Sequence, residues 1–125
     1  MIRPGELIAV VDDDEYLRES LQDLLNELGY RVMAFASGEE FLASEVLGHT
    51  ECVILDIAMP GMSGPELQRE LMTRRLAIPV IYITAHGDHT VRSRLIQQGA
   101  VDCLFKPFTE AALLGALNTA LRKTE

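Results

Sequence analysis

Cysteine, histidine, basic residues and long apolar runs are all scarce in this chain. Its 125 residues include two cysteines and three histidines, and 11 Lys and Arg stand against 19 Asp and Glu, for a formal net charge of −8. That deficit of positive charge argues against nucleic-acid binding by this segment alone, since phosphate contacts need clustered Lys and Arg. Arg74-Arg75 and Arg92/Arg94 are too sparse for one and read as solvated helix faces or partner contacts. Cys52 and Cys103 fall in predicted strands without metal-type spacing, so they read as buried reduced thiols packing as small hydrophobes. His49, His86 and His89 form no ligand pattern. No apolar run is long enough to span a bilayer, and Met1 to Gly5 has no signal-peptide character, which makes the cytoplasm the expected location and a membrane an unexpected partner. Internal repeats, low-complexity segments and interdomain linkers are absent too. With 48% hydrophobic and 24% charged residues, the composition suits one domain over residues 1–125.

What the chain has is five short apolar runs alternating with helical periodicity. Leu7 to Val11 is apolar and ends in Asp12-Asp13-Asp14. Leu17, Leu21, Leu24, Leu25 and Leu28 then recur at helical spacing, with Asp14 as the cap and Gly29 as the stop. Tyr30 to Phe35 reads as a second strand, nearer an edge because it is less purely apolar. Ser37 and Glu40 predict a capping box, with Phe41, Leu42 and Leu47 on the apolar side of the helix behind it. Cys52-Val53-Ile54-Leu55 runs straight into Asp56 and breaks at Pro60-Gly61, as a buried central strand does. Ser63 or Gly64 caps the next helix, with Pro65 at its first position. Ile78 to Thr84 is the fourth strand, residues 88–98 a polar helix, Val101 to Phe105 the fifth strand, and Thr109 the cap of the last helix. This alternation predicts an α/β fold: a doubly wound, five-stranded parallel sheet of order 2-1-3-4-5, flavodoxin-like.

In that order the carboxyl ends of strands 1, 3, 4 and 5 meet at one mouth, bringing together Asp12, Asp13, Asp56, Thr84 and Lys106. Two carboxylates about 4 Å apart repel by roughly 4 kcal/mol at an effective dielectric near 20, a penalty that a divalent cation removes. Mg²⁺ suits such a site, since it takes hard oxygen ligands from a few carboxylates. A carboxylate beside it can act as a nucleophile toward phosphorus, with Lys106 and the Thr84 hydroxyl toward the phosphoryl oxygens. Each residue alone has a plainer reading: Asp14 as a helix cap, Asp56 as a loop cap, Lys106 as a solvated lysine. Jointly they are better explained by a site.

Val11-Asp12-Asp13-Asp14, Leu55 to Gly64, Ile83-Thr84-Ala85 and Lys106-Pro107-Phe108 stand in the order and spacing of one family. The chain resembles a response-regulator receiver domain of the CheY-like superfamily, and around His86-Gly87-Asp88 and Gly99 to Asp102 it is most similar to receivers of FixJ-type transcription regulators. The resemblance implies phosphorylation of Asp56 by a sensor histidine kinase, Mg²⁺ held by Asp12, Asp13, Asp56 and the Ala58 carbonyl, and phosphoryl oxygens bound by Thr84 and Lys106. It implies a switch rather than a turnover enzyme, either a stand-alone receiver or, as the FixJ-type resemblance favours, the front of a longer regulator with a C-terminal DNA-binding output domain, and dimerisation on activation. The first rival is an aspartyl-phosphate phosphohydrolase, but haloacid-dehalogenase-type enzymes carry a second Asp two residues after the nucleophile, and Ala58 fills that place. The second is a phosphorylation-independent interaction domain of the same fold, against which the intact acids, Thr84 and Lys106 argue. Ala58 and His86 occupy the positions that tune phosphoryl lifetime in the family. Ala58 cannot position a water and His86 can, so a moderate hydrolysis rate at most is expected. The family's usual aromatic residue three before the strand-5 lysine is here Cys103, and Phe105 shares its strand parity. Output is therefore expected to rely on movement of Thr84 to Val91.

Overall fold

A computed structural model describes residues 6–85 and 88–121. The strands are β1 (Leu7–Val11), β2 (Arg31–Phe35), β3 (Cys52–Asp56), β4 (Val80–Thr84) and β5 (Asp102–Phe105). All pair in parallel in the order β2-β1-β3-β4-β5, the predicted topology, with β2 at an edge. The helices are α1 (Glu15–Glu27), α2 (Gly38–Leu42), α3 (Gly64–Thr73), α4 (His89–Gln97) and α5 (Glu110–Leu121). His86 and Gly87, including the expectation that His86 positions a water, lie outside the described residues, as does the middle of the 84–91 segment.

Strand side chains alternate between faces, so the apolar runs must be covered on both sides. Ile8, Val10, Cys52, Ile54, Ile81 and Ile83 pack against Leu21 and Leu25 of α1 and Leu113 and Leu117 of α5. The intervening Ala9, Val11, Val53, Leu55, Tyr82 and Cys103 pack against Phe41 of α2, Leu67 and Leu71 of α3 and Leu95 of α4. Each fully buried leucine or isoleucine contributes about 1.5–3 kcal/mol relative to exposure. Both cysteines are buried free thiols, as expected.

Helix starts follow the side chains that cap them. Asp14 accepts from the Tyr16 and Leu17 amides, Asp88 from Val91, and Thr109 from Ala112. A complete capping box forms at Ser63 and Glu66. At Ser37 the box stays open: Ser37 accepts from the Glu40 amide, but Glu40 reaches past it to the Ala36 amide. Helix α2 also stops at Leu42, and Leu47 belongs to a separate 3₁₀ turn, Leu47–His49. Ser44 and Thr50 donate their hydroxyls to the Phe41 and Val46 carbonyls, local bonds that compete with helix continuation. Strand β4 begins at Val80 rather than Ile78, because Pro79 has no N–H to give the ladder; its carbonyl accepts from Val53.

Tyr82 is the one phenol among the strand residues with no exposed surface. Its hydroxyl donates to Gln68 Oε1 of α3 at 2.6 Å, and Gln68 Nε2 donates to the Gln98 carbonyl, just past α4, at 3.5 Å. Burial holds this phenol protonated, well above its ordinary range. Tyr82→Phe leaves the buried Gln68 oxygen without its donor, and a loss of about 1–2 kcal/mol is expected in urea unfolding.

Candidate functional site

The loop after β1 presents Asp12 with no exposed surface, Asp13 exposed, and Asp14 as the α1 cap. Asp12 is held at three atoms. Its N–H donates to the Phe35 carbonyl at 3.1 Å, its Oδ1 accepts from the Asp14 amide at 2.8 Å, and its carbonyl accepts from Arg18 Nη1 at 2.7 Å. Its Oδ2 is buried without a hydrogen-bond partner and lies 4.0 Å from Lys106 Nζ. Such an oxygen is costly unless an ion or water completes it.

Asp56 ends β3 between the β1 and β4 termini, half-buried, and accepts from the Ala58 amide. Asp12, Asp13 and Asp56 each place one carboxylate oxygen within 4.8 Å of the others. This is the one such group of ligand-type side chains among the described residues, and it could hold a metal ion. Burial, followed by the Asp12 charge, pushes the Asp56 carboxyl up to about 6, against the pull of Lys106 and the Ala58 amide. Asp12 is raised as well, by burial first. A cluster that resists ionisation this way is complementary to a cation.

Thr84 ends β4, buried, and its carbonyl accepts from the Lys106 amide at 2.8 Å, which ties the fourth and fifth strand ends together. Lys106 precedes a cis Lys106–Pro107 bond and keeps 27% of its side chain exposed. All the residues expected at the mouth therefore lie at one edge of the sheet. Ala58 lies exposed in the loop after β3. Cys103, at the position expected to differ, sits buried beside Tyr82 in the β4–β5 register, and Phe105 is opposite Thr84. Arg92 is not a free surface cation: it pairs with Asp102 at 2.8 Å across α4 and β5.

Three residues matter more here than their sequence context suggests. Arg18 looks like part of the polar face of α1, yet helical side chains lean toward the N-terminus, which brings it back to Asp12. Gly64 looks like a possible cap, but the cap is Ser63, and Gly64 is where α3 passes against the Asp56 backbone. Tyr82 looks like one more apolar strand residue, and its hydroxyl is the only sign that a buried polar partner exists.

A doubly wound parallel sheet with an acid cluster at the switch point between β1 and β3 defines the CheY-like class of signalling domains. The family model described as "Response regulator receiver domain" matches residues 8–118, and the chain belongs to that family. It is the receiver of a two-component response regulator. It is 41% identical over 117 residues to nodulation protein W of Bradyrhizobium diazoefficiens, which covers 94% of this chain and 52% of that protein. It is 42% identical over 116 residues to the response regulator protein TmoT of Ectopseudomonas mendocina, covering 93% and 53% respectively. The crystal structure of FixJ-N superposes with a TM-score of 0.85 at 34% identity, over 98% of this chain and 97% of that one. The chain thus spans about half the length of the curated relatives it matches. No helix among the described residues is long and apolar enough to cross a membrane.

Proposed function

We propose that Asp56 accepts a phosphoryl group from a phosphohistidine of a sensor histidine kinase, with Mg²⁺ as the required cation. The observation that carries this reading is the buried, unpartnered Asp12 Oδ2, grouped with Asp13 and Asp56 and facing Lys106 at 4.0 Å. The donor set fits Mg²⁺, being hard carboxylate oxygens, with the Ala58 carbonyl as the further protein ligand. When bound, Mg²⁺ neutralises the clustered carboxylates and the charge on the incoming phosphoryl oxygens.

Asp56 is placed by the end of β3 and by the Ala58 amide, which fixes one face of its carboxylate. One Asp56 oxygen bonds to phosphorus as the phosphorus–nitrogen bond of the donor breaks, and the imidazole leaves with that electron pair. Lys106 and the Thr84 hydroxyl bind the transferred oxygens. The Thr84 carbonyl is bonded to the Lys106 amide, so a shift of Thr84 toward the phosphoryl group carries the start of the β5–α5 loop with it. The chain performs only its own phosphorylation and dephosphorylation. In the whole protein the changed surface would act on a DNA-binding output domain in the cytoplasm and favour a phosphorylation-dependent dimer.

Acetyl phosphate serves as a small acyl-phosphate donor. With Mg²⁺, the wild-type chain is expected to gain one phosphoryl group by intact mass; with chelator, or as Asp56→Asn, it gains none. A wild type that stays unmodified with Mg²⁺ present contradicts the reading.

A further inference from the structure

We infer that Arg18 is a positioning residue for the acid pair Asp12-Asp13, setting Mg²⁺ affinity through the peptide that joins them. This rests on the proposal that Asp12, Asp13 and Asp56 hold the cation.

The peptide between Asp12 and Asp13 has two ends. Its carbonyl belongs to Asp12 and accepts from Arg18 Nη1 at 2.7 Å, a charge-assisted bond. Its amide belongs to Asp13, so rotating this peptide plane swings the direction of the Asp13 side chain. Asp13 is exposed, and its carboxylate is placed by the backbone beneath it more than by packing. The other hydrogen bonds of Asp12 are to backbone groups, the Phe35 carbonyl and the Asp14 amide, and its one other charged neighbour is Lys106, at 4.0 Å from Oδ2. Arg18 is the one side chain that grips this peptide among the hydrogen bonds of the described residues.

The grip is rigid at its other end. Arg18 stands in the second turn of α1, a 13-residue helix anchored through the buried Leu21 and Leu25. Its side chain is partly buried, which limits the freedom of the long stem. Guanidinium, carbonyl and acid pair thus form a chain from the core helix to the cation site. Groups that orient metal ligands in this indirect way change affinity by about 10-fold or more when removed.

The test uses the 125-residue chain, with Mg²⁺ alone as the probe, read by backbone amide shifts of Asp13, Asp56 and Ala58. Arg18→Met keeps the apolar stem and removes the guanidinium. It is expected to raise the Mg²⁺ half-saturation concentration by about 10-fold, with Arg18→Lys recovering most of that loss by restoring a donor. In the metal-free protein, the Asp13 and Asp14 amides of Arg18→Met are expected to shift and exchange faster. At saturating Mg²⁺ the rate of labelling by acetyl phosphate is expected to return to within about twofold of wild type, a split that general destabilisation would not produce. Unchanged half-saturation in a folded Arg18→Met, or a labelling defect that saturating Mg²⁺ does not repair, overturns the role of Arg18 and leaves the Mg²⁺ site standing. A wild-type chain that gives no Mg²⁺-dependent shifts overturns the site itself, and this inference with it.

Discussion

Asp12→Asn is expected to make the metal-free protein more stable at neutral pH, by about 1–2 kcal/mol, while lowering its Mg²⁺ affinity by on the order of 100-fold. Asparagine keeps the oxygen that accepts from the Asp14 amide and replaces the unpartnered Oδ2 with a neutral donor. The repulsion removed is that of two carboxylates, roughly 4 kcal/mol at about 4 Å, and water at the half-buried Asp56 screens much of it. The pH dependence has a fixed sign. Asp56 holds its proton more tightly folded, up to about 6, than unfolded, where the ordinary value is 3.8. The Asp56 contribution to the stability of the metal-free wild type is therefore fully present below the unfolded value and is lost as pH rises through about 6. Urea unfolding at pH 5 and pH 7.5 checks this. The wild type should lose stability between the two, Asp12→Asn should lose less, and a Mg²⁺ concentration that just saturates the wild type at pH 7.5 should stabilise the wild type far more than the variant. A destabilised Asp12→Asn would mean that the attraction between Oδ2 and Lys106, 4.0 Å away, outweighs the repulsion from Asp56.

Gly64→Ala is expected to cost about 3 kcal/mol or more and to displace Asp56. A Cβ at this position would overlap the Asp56 carbonyl oxygen, lie 2.9 Å from the Tyr82 ring and 3.1 Å from the Ile57 Cα. None of these can yield cheaply. The Asp56 carbonyl and Ile57 Cα are backbone, and Tyr82 is fully buried with its hydroxyl tied to Gln68. The Gly64 amide also donates to the Ile57 carbonyl at 2.9 Å, so α3 is pinned to the loop that carries Asp56. Gly115→Ala is the matched control. It lies within α5, a Cβ there meets nothing within 4 Å, and alanine should stabilise by about 0.5–1 kcal/mol. Opposite signs in urea unfolding are the expected result, with Asp56 amide shifts moved only by Gly64→Ala. Equal tolerance of the two alanines would show that α3 can move away from β3 freely.

The sheet, its order and the acid cluster were legible because each rests on a one-dimensional signal: apolar runs of strand length, a switch to helical period, and polar residues placed where the runs end. Asp12, Asp13, Asp56, Thr84 and Lys106 all close a strand or lie within two residues of its end, so topology alone brings them together. What was not legible depends on distances across the fold. Arg18 is six residues from the carbonyl it holds and looks solvated from its helix face. The close passage at Gly64 depends on how α3 docks, which no local pattern encodes. The short α2 and the open box at Ser37 turn on side chains choosing between nearby backbone groups of similar geometry. Arg92 finds Asp102 only because α4 packs beside β5.

Asp56 is the residue proposed to store the phosphoryl group. Borohydride converts an aspartyl phosphate to homoserine, so reduction after acetyl phosphate treatment with Mg²⁺, followed by peptide mapping, reads the modified residue directly. Homoserine at position 56, and at no other aspartate, is the predicted result. Homoserine at Asp12 or Asp13, or an intact Asp56 in a chain that has gained a phosphoryl group, would contradict it.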